Sequence, residues 1–327
     1  MPVHAAVPRP TAATPLRNGE PWFDTHGQRI QAHGGGLLHL DGWWYWYGEN
    51  KAGPTGHHQR RDGQSVARIE VVGVAGYRSR DLLAWEPMGN VLTPEPGNPR
   101  HDLHPSRVVE RPKVVFHAAS GSFVMWFHAD NADYDHAAAA VAIADRPEGP
   151  FRLLGSVRPH GRDCRDQTLF FDDDGAGYHL CSTDQNRTLL LSRLTGDYRG
   201  FEGEHRLLFE GRYMEAHAIA RHAGRYWYLA SGCTGWDPNP ARSAVTDDPW
   251  GEWQELGNPC TGPDAERTFA GQSTFLQSLP DGRLLAMFDR WDAQDLADSR
   301  YLWLEASIDE RGLSVPWRAE WPGLRKS

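Results

Sequence analysis

Short apolar runs recur five times along the chain, each opened by a polar residue and followed by a turn and an aromatic run. The first copy is His33-Gly34-Gly35-Gly36-Leu37-Leu38, the turn Asp41-Gly42, then Trp43-Trp44-Tyr45-Trp46-Tyr47. The second runs from Glu110 through Val114-Val115-Phe116, turns at Ser120-Gly121 and continues as Phe123-Val124-Met125-Trp126-Phe127. The third opens at Asp166 and turns at Asp174-Gly175; the fourth opens at Glu215 and turns at Gly224; the fifth opens at Gln272 and turns at Asp281-Gly282. Two β-rich runs joined by a glycine-bearing turn predict a β-hairpin. Outer strands follow some of the hairpins: Val72–Tyr77 with Ser79–Trp85, Ala139–Ala144 with Pro147–Phe151, and Ala241–Val245 with Pro249–Trp253. Four strands per copy, at a period of roughly 50 residues, predict an all-β, five-bladed β-propeller with four-stranded blades around a central channel. A sandwich or jelly roll does not account for five copies with equivalent polar openings.

Composition supports this reading. The chain has 327 residues with 14 Trp, 34 Gly and 23 Pro, a mixture that suits short strands and many turns. The Pro/Ala/Thr-rich residues 1–17 are expected to form a disordered tail, and 18–327 a single catalytic domain. The net charge of −9 argues against nucleic acid and anionic membranes as partners. No apolar stretch reaches the ~18 residues that a membrane helix needs, and the N-terminus lacks the pattern of a secretory signal. The expectation is a cytoplasmic monomer, or a secreted one if a leader has been removed. Cys164, Cys181, Cys233 and Cys260 form no C-x-x-C pair, which argues against a zinc knuckle and for buried thiols.

In a propeller the innermost strands line the channel, so His33, Glu110, Asp166, Glu215 and Gln272 must share one rim. Gathered carboxylates repel, so some are protonated or paired, and such divided protonation is what acid–base catalysis requires. Taken singly, such residues equally well hold loop backbones or a channel ion; as a ring they favour a site. The hairpin ends add Glu49, Tyr134, Thr234, Trp236 and Trp291, and aromatic faces beside polar groups suit a sugar. Most of the remaining Trp residues are expected to pack between blades. His57-His58 and Arg60-Arg61 read as a solvated polar loop.

These residues sit in motifs that resemble one family. His33-Gly34-Gly35-Gly36, Tyr47-Gly48-Glu49-Asn50, Glu110-Arg111-Pro112-Lys113, Arg165-Asp166-Gln167-Thr168, Met214-Glu215-Ala216, Cys233-Thr234-Gly235-Trp236 and Asp289-Arg290-Trp291 occur in order over about residues 28–307. Together they are similar to glycoside hydrolase family 43, and most to its exo-β-1,3-galactanase branch (subfamily 24). The resemblance implies an inverting glycosidase that removes β-1,3-linked galactose from the end of a galactan or galacto-oligosaccharide. Glu215 would be the general acid. Glu110 and Asp166 would tune and orient, with Glu49 and Tyr134 at the terminal sugar and Gln272 holding the attacking water. His33, Thr234, Trp236 and Trp291 complete the expected substrate contacts. The departure from the family pattern at Met214 and His217 removes an arginine charge, which predicts either a raised acid pKa or a shifted orientation of the acid. No cofactor is expected, although the resemblance allows a channel cation such as calcium, with His33, His104, His128 and His217 as candidate neighbours. Other readings are a family 43 enzyme acting on an α-L-arabinofuranoside, β-xyloside or galactofuranoside, a sugar-binding propeller that has lost hydrolysis, and a protein-binding scaffold.

Overall fold

The computed structural model describes residues 14–325. Five antiparallel four-stranded blades surround a channel. Blade I comprises His33–Leu40, Trp43–Glu49, Val74–Ser79 and Glu86–Leu92; blade II, Val108–His117, Ser122–Asp130, Ala138–Ala144 and Arg152–Val157. Blade III comprises Gln167–Phe171, Gly177–Thr183, Thr188–Leu194 and Phe201–Leu208; blade IV, Met214–His222, Arg225–Gly232, Arg242–Thr246 and Gln254–Gly257. Blade V comprises Gln272–Ser278, Leu284–Arg290, Arg300–Asp309 and Gly312–Pro316, with Cys260–Thr261 added in parallel at its outer edge. Among the described residues, no helix is long and apolar enough to cross a membrane.

All five inner hairpins fall where the repeat places them. The outermost strands of blades I, II and IV lie one turn later than expected. Ser79–Trp85 is a turn in which Ser79 Oγ and Asp81 Oδ1 accept backbone N–H groups from Leu82, Leu83 and Ala84, while Leu82 and Trp85 reach the core. Pro147–Phe151 and Pro249–Trp253 are likewise turns that send Phe151, Trp250 and Trp253 inward. The true outer strands are largely exposed and polar, so their hydrophobic signal is weak and the neighbouring turn mimics it.

Five apolar clusters fill the five gaps between blades. The gap between blades V and I holds six of the 14 tryptophans: Trp22, Trp44, Trp46, Trp85, Trp303 and Trp321. Each blade here is built from consecutive strands, so among the described residues no shared strand closes the ring; the seam instead relies on this aromatic packing and on the segments around Leu16 and Trp321. Leu16–Arg17 pairs with Glu320–Trp321, and Asn18 bonds both the N–H and the C=O of Trp303. The expected tail is corrected accordingly: Leu16 and Arg17 belong to the ordered domain, and residues 1–13 lie outside the described residues. Truncating a fully buried Trp of this seam to Ala would cost about 3–5 kcal/mol.

The inner strands of four blades carry a bulge near the channel rim, between His33 and Gly36, Glu110 and Lys113, Glu215 and Ala218, and Ser273 and Phe275. In blades I, II and IV the residue after the opening position has a left-handed backbone: Gly34 (φ 58°), Arg111 (φ 56°) and Ala216 (φ 61°). A bulge breaks the alternation of a strand and re-aims the adjoining side chain. The strain at Arg111 and Ala216, on the order of 1 kcal/mol each or more, is carried by hydrogen bonds from the site itself: Arg111 N–H donates to Glu49 Oε1 and Ala216 N–H to Asp166 Oδ2. Gly34 cannot be replaced cheaply, because a Cβ there would collide with Glu49 Oε1.

Candidate active site

The channel rim brings Glu49, Glu110, Asp166, Glu215 and Gln272 into one network around Arg111. From blade II, Arg111 reaches across to blade V, donating through Nη1 to Ser273 O (2.9 Å) and through Nη2 to Gln272 Oε1 (2.7 Å). The same Nη2 lies 3.2 Å from Asp166 Oδ2. Beneath it, Lys113 is buried and donates to the carbonyls of Gly34 and Arg111; burial brings its ammonium down to about 7. Arg111 and Lys113 occupy the Glu-Arg-Pro-Lys motif, yet their spacing alone assigns them no role.

The carboxylates divide into two kinds. Burial raises Glu110, but the hydrogen bond and charge of His128 outweigh it and leave the acid below its ordinary value. His128 Nδ1 lies 3.2 Å from Glu110 Oε2, and Tyr134 OH donates to Oε1 at 2.7 Å. Burial alone would lower His128, but hydrogen bonds to Asp130 and Glu110 hold it at about 10, doubly protonated. Asp166 is also held low: burial opposes this, and the charges of Arg111 and His128, with the N–H of Ala216, prevail. Glu215 goes the other way. Burial, then the charge of Asp166, push it up to about 8, against Arg111. Glu49 is raised by burial despite Lys51 at 2.7 Å.

The raised pKa of Glu215 agrees with expectation, but its cause differs. Met214 packs in the apolar gap between blades III and IV, and its backbone carbonyl accepts from Ser182 Oγ. The positive charge beside the acid comes from Arg111. His217 is buried, bonded to Ser182 Oγ and Tyr228 OH (both 2.8 Å), and burial depresses it to about 3.

Gln272 requires a correction. Arg111 and Trp291 can only donate, so the side-chain oxygen of Gln272 must face them (2.7 and 2.9 Å). Its amide group then donates to Glu215 Oε1 (3.0 Å) and Ser231 Oγ (3.1 Å). Both polar ends of the amide are engaged by protein, and Gln272 touches the acid directly. An inverting site needs about 6.5–9.5 Å between acid and base to admit water, so Gln272 does not stand across a water from Glu215. Blades II and IV are not neighbours around the ring, so Glu110 and Glu215 come to the rim from separate sides.

His33 is also corrected from contact to support. It is fully buried, with Nδ1 near Asp289 (3.3 Å), Nε2 near Tyr301 OH (3.1 Å) and its ring stacked on Tyr301. Asp289 in turn accepts from Gly34 N–H at 2.5 Å. Thr234 is exposed, but its hydroxyl donates to Asp237 O and accepts from Asn239, ordering the loop that carries Trp236. Trp236 and Trp291 meet edge to face, 5.3 Å apart. Trp236 lines two adjoining pockets, one with Glu49, Glu110 and Tyr134 and the other with Ser231, Gln272 and Trp291. Residues 57–61, expected as a solvated loop, belong instead to a hairpin (Gly56–Gln59 with Ser65–Arg68) inserted into blade I. His58 and Arg61 bond Asp133, beside Tyr134, while Ala67 and Ile69 pack with Trp236, Trp291 and Leu296. Cys233, expected to be buried, is exposed. His104 lies on a loop and bonds Ser106.

Glu110, His128 and Asp166 place potential ligand atoms within 4.8 Å of one another. They fit a cation poorly, because both His128 nitrogens carry protons shared with carboxylates. The charge that a cation would supply here comes from His128, Arg111 and Lys51.

The sequence profile of glycosyl hydrolases family 43 matches residues 64–300. A family 43 β-1,3-galactosidase solved with galactodeoxynojirimycin is 36% identical, with a TM-score of 0.84 over 94% of this chain and 99% of that one. An exo-β-1,3-galactanase from Phanerochaete chrysosporium, solved with galactose, is 32% identical, with a TM-score of 0.85 over 95% of this chain and 69% of that one. A second, from Clostridium thermocellum, is 34% identical, with a TM-score of 0.79 over 92% and 65%. Another family 43 β-1,3-galactosidase is 33% identical, and this chain spans 63% of it. No curated protein matches the chain.

Proposed function

Because the chain belongs to glycosyl hydrolases family 43, and is a glycosidase by that membership, we propose that it removes terminal β-1,3-linked galactose with inversion. One observation carries the mechanism: the same rim holds a carboxyl raised to about 8 on blade IV and a carboxylate held below its ordinary value on blade II. Galactose as the sugar is supported by the galactosidase and galactanases the chain resembles.

Glu215 donates its proton to the glycosidic oxygen as the bond to C1 breaks. The amide of Gln272 donates to Oε1 at 3.0 Å, closer than the 3.5 Å contact of Asn186 Nδ2 to Oε2, which favours Oε2 as the oxygen that carries the proton. Gln272 is therefore an orienting residue for the acid. A water attacks C1 from the opposite face and passes its proton to Glu110, whose carboxylate Tyr134 and His128 hold in place. Glu110 and not Gln272 takes that proton, because the conjugate acid of a neutral amide is far too strong. Asp166 and the other carboxylates offset the positive charge that develops on the sugar ring.

The test is proton NMR of the purified protein with β-1,3-galactobiose, following the first anomer released. Early α-galactose is expected. Early β-galactose would refute inversion, and cleavage of arabinofuranosides, xylosides or galactofuranosides alone would refute the substrate.

A further inference from the structure

A second cluster of reactive side chains lies away from the channel, in the gap between blades II and III. His179 and Cys181 are two residues apart on the second strand of blade III and so share one face of the sheet. Cys164 approaches from the segment before the inner strand, pinned by its N–H to Ala137 O of blade II (2.9 Å). The two sulfurs and a ring nitrogen of His179 lie within 4.8 Å of one another, and all three residues are fully buried.

The surroundings are apolar, formed by Val124, Trp126, Leu169 and Leu190. Neither ring nitrogen of His179 finds a hydrogen-bond partner in the protein. Ser192, paired with His179 across the sheet, has a buried Oγ without a partner, as does Oε1 of Gln167, paired with Cys181. Directly paired residues project from the same face, so besides the two unpartnered imidazole nitrogens the face that carries the thiols bears two further residues with an unpartnered polar atom, Ser192 and Gln167. Buried polar groups left unpaired cost about 1–3 kcal/mol each, and such a concentration signals a missing partner.

We propose that Cys164, His179 and Cys181 bind a zinc ion. Zinc takes thiolate sulfur at about 2.3 Å and imidazole nitrogen at about 2.0–2.1 Å; three ligand atoms mutually within 4.8 Å can close on one such ion. Two thiolates and a neutral imidazole cancel the charge of Zn²⁺, which suits an apolar gap; Cu⁺ would leave a net negative charge there. Three protein ligands leave a fourth position for a water, with Ser192 Oγ and Gln167 Oε1 as acceptors on the same face. The pattern escapes a search for C-x-x-C because only the His-x-Cys half is local; Cys164 arrives from another segment. The ion would clamp the chain two residues before Asp166 and so hold the carboxylate that raises Glu215.

The experiment uses the untagged full chain, incubated with excess zinc and freed of unbound metal by gel filtration, with metal measured by mass spectrometry. About one zinc per chain is expected, with loss in the double variant Cys164→Ala/Cys181→Ala and none in Cys233→Ser. Should the double variant not fold, cobalt loading of the wild-type chain replaces it, and an intense thiolate-to-cobalt absorption band is the expected result. Less than about a tenth of a zinc per chain, zinc retained by the double variant, or cobalt uptake without that band would overturn the proposal. So would a non-reduced mass showing Cys164 and Cys181 joined as a disulfide.

Discussion

The inner strands of blades II and IV begin alike and end chemically opposite. Each carries a glutamate, then a left-handed residue, then a bulge. Glu110 lies against a doubly protonated histidine and a tyrosine hydroxyl and is held charged. Glu215 receives an amide and a neighbouring aspartate's field, and keeps its proton to about pH 8. The local backbone therefore sets where a carboxylate points, and the adjoining blades decide what it does. One repeated strand supplies both an acid and a base because each copy meets different neighbours around the ring.

The sharpest break in this comparison is to remove the acid. Glu215→Gln keeps the shape and should cut turnover by about 10²-fold or more on substrates with poor leaving groups; near-normal turnover would contradict the role. Glu110→Gln should cost a similar factor, about 10²-fold, with one difference. Azide, which needs no base, should restore turnover and give the inverted glycosyl azide, whereas Glu215→Gln should not respond.

Smaller effects follow from the fields. Asp166→Asn removes the charge that raises Glu215 and leaves Arg111 uncompensated. The high-pH limb of kcat/KM, near 8 in the wild type, should move down by about one unit. The stability of the fold should register the same shift. The pKa of Glu215 is raised from 4.5 when unfolded to about 8 when folded, so its stabilising protonated form is fully retained below 4.5. That stability is lost as the pH rises toward 8. The melting temperature of Glu215→Gln should therefore gain on wild type over this interval, and a constant difference would contradict the shift. Smallest is Gln272→Ala, expected to lower kcat by about tenfold with no azide rescue, as loss of an orienting contact would.

Much of this arrangement was legible in the sequence. The inner hairpins announce themselves because their second strands are aromatic and buried, as in Trp43–Glu49 and Ser122–Asp130. The ring of opening residues follows from the repeat. The exposed outer strands Arg152–Val157 and Gln254–Gly257 were masked by apolar turns beside them. The reach of Arg111 to Gln272, and of Gln272 to Glu215, joins residues 161 and 57 positions apart. No local pattern records such pairings, so the role of Gln272 could be read only once the blades were closed into a ring.

The most direct test is a carbon-13 NMR titration of the glutamate carboxyls in the wild-type chain, with Glu215→Gln identifying the signal. The account predicts a Glu215 carboxyl that titrates at about 8, with Glu110 ionised throughout that range. A Glu215 carboxyl that titrates near 4.5, its unperturbed value, would contradict the division of roles between blades II and IV.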